Sequence, residues 1–243
     1  MTNSLPKIAT PNPNNNETLR SRAQALRLNE LVEHRSEVVD TNWVEPLLQW
    51  EEDERAHRSL QRRIRNAKLS GFKALSDFDW KWPKRIECSA VEDLMTFTFL
   101  KDATNVVFIG PNGVGKSTLA QNVARHAIIA GHTVLFRAAS EMLGELAAPD
   151  SDSALHRRLR HCATPDILLI DEVGHLSYSN RHFDQLFELS RRYEPRSTIV
   201  TTNKPFSEWS EVFPNAACVV SLVDQLVHPA EVISIEGESY RLK

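Results

Sequence analysis

The run Gly110-Pro111-Asn112-Gly113-Val114-Gly115-Lys116-Ser117 has the residue types and spacing of GxxxxGK[ST], a loop that wraps phosphate groups. Gly113 and Gly115 free the main chain to curl so that its N–H groups turn inward toward phosphate oxygens. A helix starting near Lys116 adds unpaired N–H groups and the positive end of its dipole. Lys116 brings a full charge to the β- and γ-phosphates, and Ser117 brings a hydroxyl to Mg²⁺. Thr118 follows, in reach of the α-phosphate. Residues Gly110 to Thr118 are therefore assigned to a nucleoside triphosphate.

A second group of polar residues lies downstream. Ile167-Leu168-Leu169-Ile170 leads into Asp171-Glu172. A buried strand that ends in two acids puts them at the carboxyl edge of a sheet, where ligands bind in such folds. Asp171 joins Ser117 as the candidate Mg²⁺ partner, and Glu172 is the candidate for polarising an attacking water. A later apolar run, Ser197 to Thr202, ends at Asn203, whose amide is placed to bind the γ-phosphate or that water. Asn after a strand is also an ordinary turn residue.

These residues need a scaffold, and the pattern supplies one. Short apolar runs occur at Asn105–Ile109, Thr133–Ala138, Ile167–Ile170, Ser197–Thr202 and Val232–Ile235. Helical stretches separate most of them, Lys116–Ala130 being closed by Gly131. The alternation predicts an α/β fold, a mostly parallel sheet with helices on both faces. Ser89 and Glu92 have the spacing of a capping box for a short helix ending near Leu100. Residues 17 to about 70 read as helical, a small all-helical N-terminal domain stopped by Gly71. Within it, Glu51–Arg55 and Glu54–Arg58 are i,i+4 pairs in the favourable order, and Ala56, Leu60, Ile64 and Ala67 form one thin apolar stripe. Residues 1–16, with five Asn and three Pro, read as a disordered tail. Residues 72–88 form a junction of alternating aromatic and charged residues, and 89–243 form the nucleotide-binding domain.

Length and composition agree. The 243 residues are 41% hydrophobic, enough for one sizeable domain plus a smaller one. Three distant cysteines, Cys88, Cys162 and Cys218, offer neither a CxxC pair nor a disulfide framework, which fits a reducing compartment. The first residues contain no apolar stretch of a secretory signal, and no apolar run is long enough to span a bilayer. The expectation is a cytoplasmic protein without membrane contact.

The formal net charge is only −3, but it is unevenly spread. Residues 1–54 carry −5, residues 55–85 carry +8 and residues 86–243 carry −6. A basic block between acidic flanks is a local field that acts on polyanions. Arg55, Arg58, Arg62 and Arg65 share one helical face and are the candidates for DNA phosphates. With about five such contacts, binding should fall with salt along a log-log slope near −4 or −5, with weak sequence preference. The bland alternative is a solvated helix face balanced by Glu51-Glu52-Asp53-Glu54. Trp80 and Trp82 beside Lys81, Lys84 and Arg85 suit base stacking or, more simply, packing of the junction. His156, Arg157, Arg158, Arg160 and His161 form a second basic cluster, either a DNA-facing element or plain surface.

The motifs GPNGVGKSTLA, ILLIDEVGHL, RRYEPRSTIVTTN with FSEW, and the terminal GESYRLK occur in an order that resembles the IstB-type insertion-sequence helper ATPases. These are AAA+ proteins related to DnaC-type helicase loaders. The resemblance covers roughly residues 20–243. It implies ATP with Mg²⁺ as cofactor, the phosphate-loop strand beside the strand ending in Asn203, and ATP hydrolysis stimulated by DNA. It further implies a homo-oligomer assembled on double-stranded DNA and partnership with a DDE-type transposase. Arg241, in the terminal segment, takes a nucleotide-sensing role in this comparison. One departure stands out. Where the family usually carries Asp-Arg-Leu, with an Arg reaching the neighbouring subunit's nucleotide, this chain reads Asp224-Gln225-Leu226. Gln cannot supply that fixed charge, which suggests slow hydrolysis unless Arg192, Arg196 or Arg241 substitutes. Two alternatives follow: a helicase loader of the same fold, and a nucleotide-gated DNA-binding scaffold with little turnover. A small-molecule kinase would need an Arg-rich lid that no segment resembles.

Overall fold

The computed structural model describes residues 13–38, 40–69, 71, 73–148, 151–175, 179–190, 196–213 and 216–242. The chain divides into two compact units, one ending at Gln61 and the other starting at Arg62. The division falls inside a long helix, ten residues before the boundary read from the sequence, so the junction residues belong to the second unit. Most of the segment read as a tail lies outside the described residues, and the first helix begins at Pro13.

The first unit is helical: α1 (Pro13–Ala25), α2 (Asn29–Glu33), α3 (Arg35–Val38) and the first part of α4 (Val44–Ala67). Leu19, Ala23, Leu26, Val44 and Leu48 form its small core. Arg22 clamps α1 to α4 through Glu45 and, at 2.7 and 2.8 Å, both carboxylate oxygens of Glu52. Helix α4 stops at Ala67, before Gly71, because Lys68 itself takes the left-handed conformation that ends helices (φ +56°).

The second unit holds a five-stranded parallel sheet in the order β2-β3-β4-β1-β5. The strands are β1 (Asn105–Ile109), β2 (Val134–Ala138), β3 (Ile167–Val173), β4 (Ser197–Thr202) and β5 (Ala230–Ser234). Two short helices, α5 (Cys88–Leu94) and α6 (Thr98–Lys101), precede the sheet. The expected capping box is not formed: α5 starts at Cys88, two residues early, and its N-cap Glu87 makes no side-chain cap bond. Phe97, at φ +59°, separates it from α6.

Strand alternation divides the core. Val107, Leu135, Leu168, Ile170 and Val200 pack under α8 (Ala139–Ala147), α10 (Asn180–Ser190) and α12 (Ala216–Val227), together with Trp209 of the short α11 (Trp209–Val212). The alternate residues Val106, Phe108, Leu169 and Ile199 are buried on the opposite face, where α7 (Lys116–Ile129) crosses the strands. Buried Asn105 pins β1: its side-chain oxygen accepts the Thr198 N–H at 2.9 Å and its NH₂ donates to the Leu226 carbonyl at 3.2 Å. Helix α9 (Asp152–Ala163) precedes β3. None of the described helices is long and apolar enough to cross a membrane.

Candidate functional site

The parallel order brings the carboxyl ends of β1, β3 and β4 together, because β1 pairs with β4 and β4 with β3. The loop from Gly110 to Gly115 leaves β1 there and turns into α7, whose first residue is Lys116. Two glycines make that turn possible. Gly113 has φ +79°, and a Cβ on it would lie 2.0 Å from the Ser239 hydroxyl; Gly115 has φ +99°, and a Cβ would lie 2.4 Å from the Phe78 ring. An L side chain at either position is both strained and blocked.

Inside the curl, the Lys116 ammonium donates to the carbonyls of Gly110 and Pro111, each at 2.7 Å. The side chain is buried, and this desolvation lowers its pKa from the ordinary 10.5 to about 8, although Asp171 and Glu172 pull it upward. Such a cation gains much from an anion brought against it.

The second group of residues meets the first. The Ser117 hydroxyl donates to Asp171 Oδ1 at 2.7 Å, and the Thr201 hydroxyl donates to the same oxygen at 2.5 Å. Asp171 is only 8% exposed. A hydroxyl beside a buried carboxylate, with room left for phosphate oxygens and water, is a donor set that suits Mg²⁺ held partly by substrate. Among the described residues no cluster of three His, Cys, Asp or Glu side chains competes for a metal.

Glu172 is exposed and stands in the left-handed region at φ +61°. For a residue with a Cβ this costs on the order of 1 kcal/mol and survives where neighbours enforce it. Its N–H donates to Thr201 Oγ1 at 2.9 Å, its carbonyl accepts the His175 N–H at 3.3 Å, and the β3–β4 register shifts between Ile170 and Val173. Asp171 turns inward and Glu172 toward solvent, as neighbours on a strand do. Thr201 was not singled out from the sequence, yet it ties both acids to β4. The only available signal was its place two residues before Asn203.

Asn203 lines the same cavity, and its Oδ1 is buried with no hydrogen-bond donor among the described residues. A buried amide oxygen left in this state is costly unless a ligand supplies the donor. A cavity of about 500 Å³ is lined by Asn112 through Thr118, Asp171, Glu172, Asn203 and Arg241. Its other wall is the junction, Lys73 to Pro83, with Tyr240. Trp82 packs edge-on against Tyr240 (centroids 5.3 Å apart) and donates to the Glu238 carbonyl at 2.9 Å; Trp80 packs against Phe78. The Tyr240 N–H donates to the Gly113 carbonyl at 3.0 Å. The junction aromatics therefore build the pocket with the C-terminal segment.

The remaining arginine candidates are dispersed. Arg192 lies outside the described residues. Arg196 precedes β4, at the end of the sheet away from Asn203; burial pushes the nearby Asp166 carboxyl up, but hydrogen bonds from Thr133, helped by Arg196, leave it below its usual range. Gln225 accepts a 2.7 Å hydrogen bond from the Ser190 hydroxyl, so its amide joins α12 to α10.

The basic helix face is less uniform than its sequence suggests. Arg55 donates to the Leu26 carbonyl and faces Glu51 at 3.7 Å; Arg58 is paired with Glu54 at 2.5 Å. Arg62 and Arg65 are exposed and form no ion pair among the described residues. Of the four arginines read as DNA contacts, Arg55 is turned to a structural bond. Arg63, set apart from that face, donates to the Ile128 carbonyl of α7 at 3.1 Å. The apolar stripe is buried only at Ala67, while Ile64 is 42% exposed.

Comparison with known proteins agrees with this geometry. Solved structures share the fold: DnaI, at 21% identity and a TM-score of 0.56, is matched over 67% of this chain and 90% of its own. The DnaC helicase loader, at 16% identity and a TM-score of 0.51, is matched over 61% and 87%. An ATP-binding protein of insertion sequence IS21 from Pseudomonas aeruginosa is 34% identical over 81% of this chain and 74% of its own length. The model of the IstB-like ATP binding proteins matches residues 16–243, essentially the whole chain, and with the phosphate loop, the Asp171–Ser117 pair and the β5-β1-β4-β3-β2 sheet in place, the chain belongs to that family.

Proposed function

We propose that the chain binds ATP with Mg²⁺, assembles on double-stranded DNA and acts as a helper of transposition that recruits or activates a transposase. One observation carries the nucleotide part: Ser117 and Thr201 converge on buried Asp171, beside a desolvated Lys116 and an amide oxygen of Asn203 that lacks a donor. Each of these groups is completed by a triphosphate, its metal or a water.

In this reading Gly110 to Thr118 hold the phosphates, and Ser117 with Asp171 hold the metal. The metal would neutralise charge on the β- and γ-phosphate oxygens. Glu172, exposed at the rim, accepts the proton of the attacking water, and Asn203 Oδ1 accepts a hydrogen bond from that water and fixes its direction. Arg241 reads the phosphates from the C-terminal segment. The DNA and transposase parts rest on the family, on relatives named as ATP-binding proteins of insertion sequences, and on the free charges of Arg62 and Arg65. Residues 17–71 serve partner and DNA binding, and 89–243 bind nucleotide with a wall supplied by junction residues 73–83.

A second reading is a nucleotide-gated scaffold that barely hydrolyses ATP. The Gln225–Ser190 bond favours it, since the amide at the family's arginine position is occupied within its own chain. ATP turnover measured with and without duplex DNA separates the two. DNA-stimulated phosphate release supports the ATPase, while tight MgATP binding with no release in the assembled state supports the scaffold. Absence of MgATP binding overturns both.

A further inference from the structure

We propose that a second anion site, in the groove between α8 and α9, seats backbone phosphates of duplex DNA; the choice of DNA rests on the function proposed above. The groove measures about 420 Å³ and shares no residue with the nucleotide cavity. Arg137 from β2, Glu145 from α8, and Arg157, Arg158 and His161 from α9 form its walls, over an apolar floor that includes buried Cys162.

Its charges do not cancel. Among the described residues that line it, Glu145 is the one carboxylate, and Arg137 pairs with it. Arg137 is only 12% exposed at its side chain, and its Nε is buried with no acceptor among the described residues. Arg158 donates to the backbone carbonyl of Glu145, so its charge stays unneutralised by that bond. Arg157 and His161 are exposed and form no ion pair among the described residues. The hydrogen bond from Arg137 holds the Glu145 carboxyl below its usual range, with smaller help from Lys68 and Arg158.

Guanidinium groups over an apolar floor recognise phosphate well, because the planar fork matches its oxygens and the floor excludes competing water. The adjacent guanidinium groups of Arg157 and Arg158 on one groove wall fit a regularly charged polymer better than one acidic side chain.

The test is duplex binding by the full chain with MgATP, followed by fluorescence anisotropy across a salt series on several DNA sequences. Arg157→Gln combined with Arg158→Gln should make the log-log salt slope shallower by about two and weaken every sequence alike. MgATP affinity should stay unchanged. Wild-type binding with an unaltered slope in the variant overturns the groove and leaves the DNA function standing. Failure of the wild type to bind duplex overturns both. Loss of transposase binding with the DNA slope retained overturns the DNA assignment in favour of a protein partner. Should the double variant melt early, Arg157→Glu alone, at an exposed position, gives the same readout.

Discussion

The nucleotide cavity and the basic helix were both visible as clusters of chemically suited residues, and they differ in how the fold uses them. In the cavity, residues from three strand ends and one loop converge, and Ser117, Asp171 and Thr201 satisfy one another at 2.5 to 2.7 Å. On α4 the charges do not converge. Arg55 and Arg58 are engaged within the first unit, and only Arg62 and Arg65 stay unpaired among the described residues. Chemistry that needs a fixed geometry leaves a fixed spacing in sequence. A surface field needs only net charge, so single residues in it are free to take structural roles.

The contrast predicts effects of different size. Glu172→Gln should lower ATP turnover on the order of 10² to 10⁴-fold with MgATP affinity little changed, since it removes a proton acceptor and no phosphate contact. Phosphate release and calorimetry on the same variant check this; a variant that turns over like the wild type removes Glu172 from the chemistry.

Acidity acts on Lys116. Its folded pKa of about 8 lies below the ordinary 10.5, so between those values the folded free chain binds fewer protons than the unfolded one and its stability rises with pH. A bound triphosphate favours the charged lysine, so binding takes up a proton. MgATP affinity should therefore fall, by up to about tenfold per pH unit, as pH climbs above 8. Calorimetry in buffers of different ionisation enthalpy at pH 8 should register uptake near half a proton; no uptake would show that the lysine is already charged.

On the helix, Arg62→Gln with Arg65→Gln should make the DNA salt slope shallower by about two. Arg55→Gln should leave the slope nearly unchanged and lower the melting stability by about 1 kcal/mol, the worth of its bond to Leu26. Equal slope changes from both variants would erase the distinction between bonded and free arginines.

Much of the fold was legible because periodicity and punctuation agree with it. The strands Asn105–Ile109 and Ser197–Thr202 fall where the apolar runs lie, and their pairing follows the family resemblance. The candidate site was legible where motif spacing singles out a residue, as at Lys116 and Asp171, which the fold brings to one cavity. Thr201 was not, because a threonine in a strand is ordinary and its role arises from the bulge that brings Asp171 and Glu172 around it. Nor was the aromatic wall of the cavity. Trp82 and Tyr240 are 158 positions apart, and nothing in local spacing joins them. The missing cap at Ser89 is of another kind: α5 begins at Cys88 with Glu87 as its N-cap, so Ser89 lies inside the helix and not at its head.

The central claim is that a triphosphate rests in the loop ahead of α7, with Lys116 and the Ser117–Asp171 pair as its main contacts. Titration calorimetry with MgATP on the wild type and on Lys116→Ala tests it directly. Saturable heat from the wild type and an affinity lowered roughly a hundredfold in the variant, with both proteins melting as folded domains, is the expected result. Equal affinities in the two proteins, or no binding by a folded wild type, would contradict it.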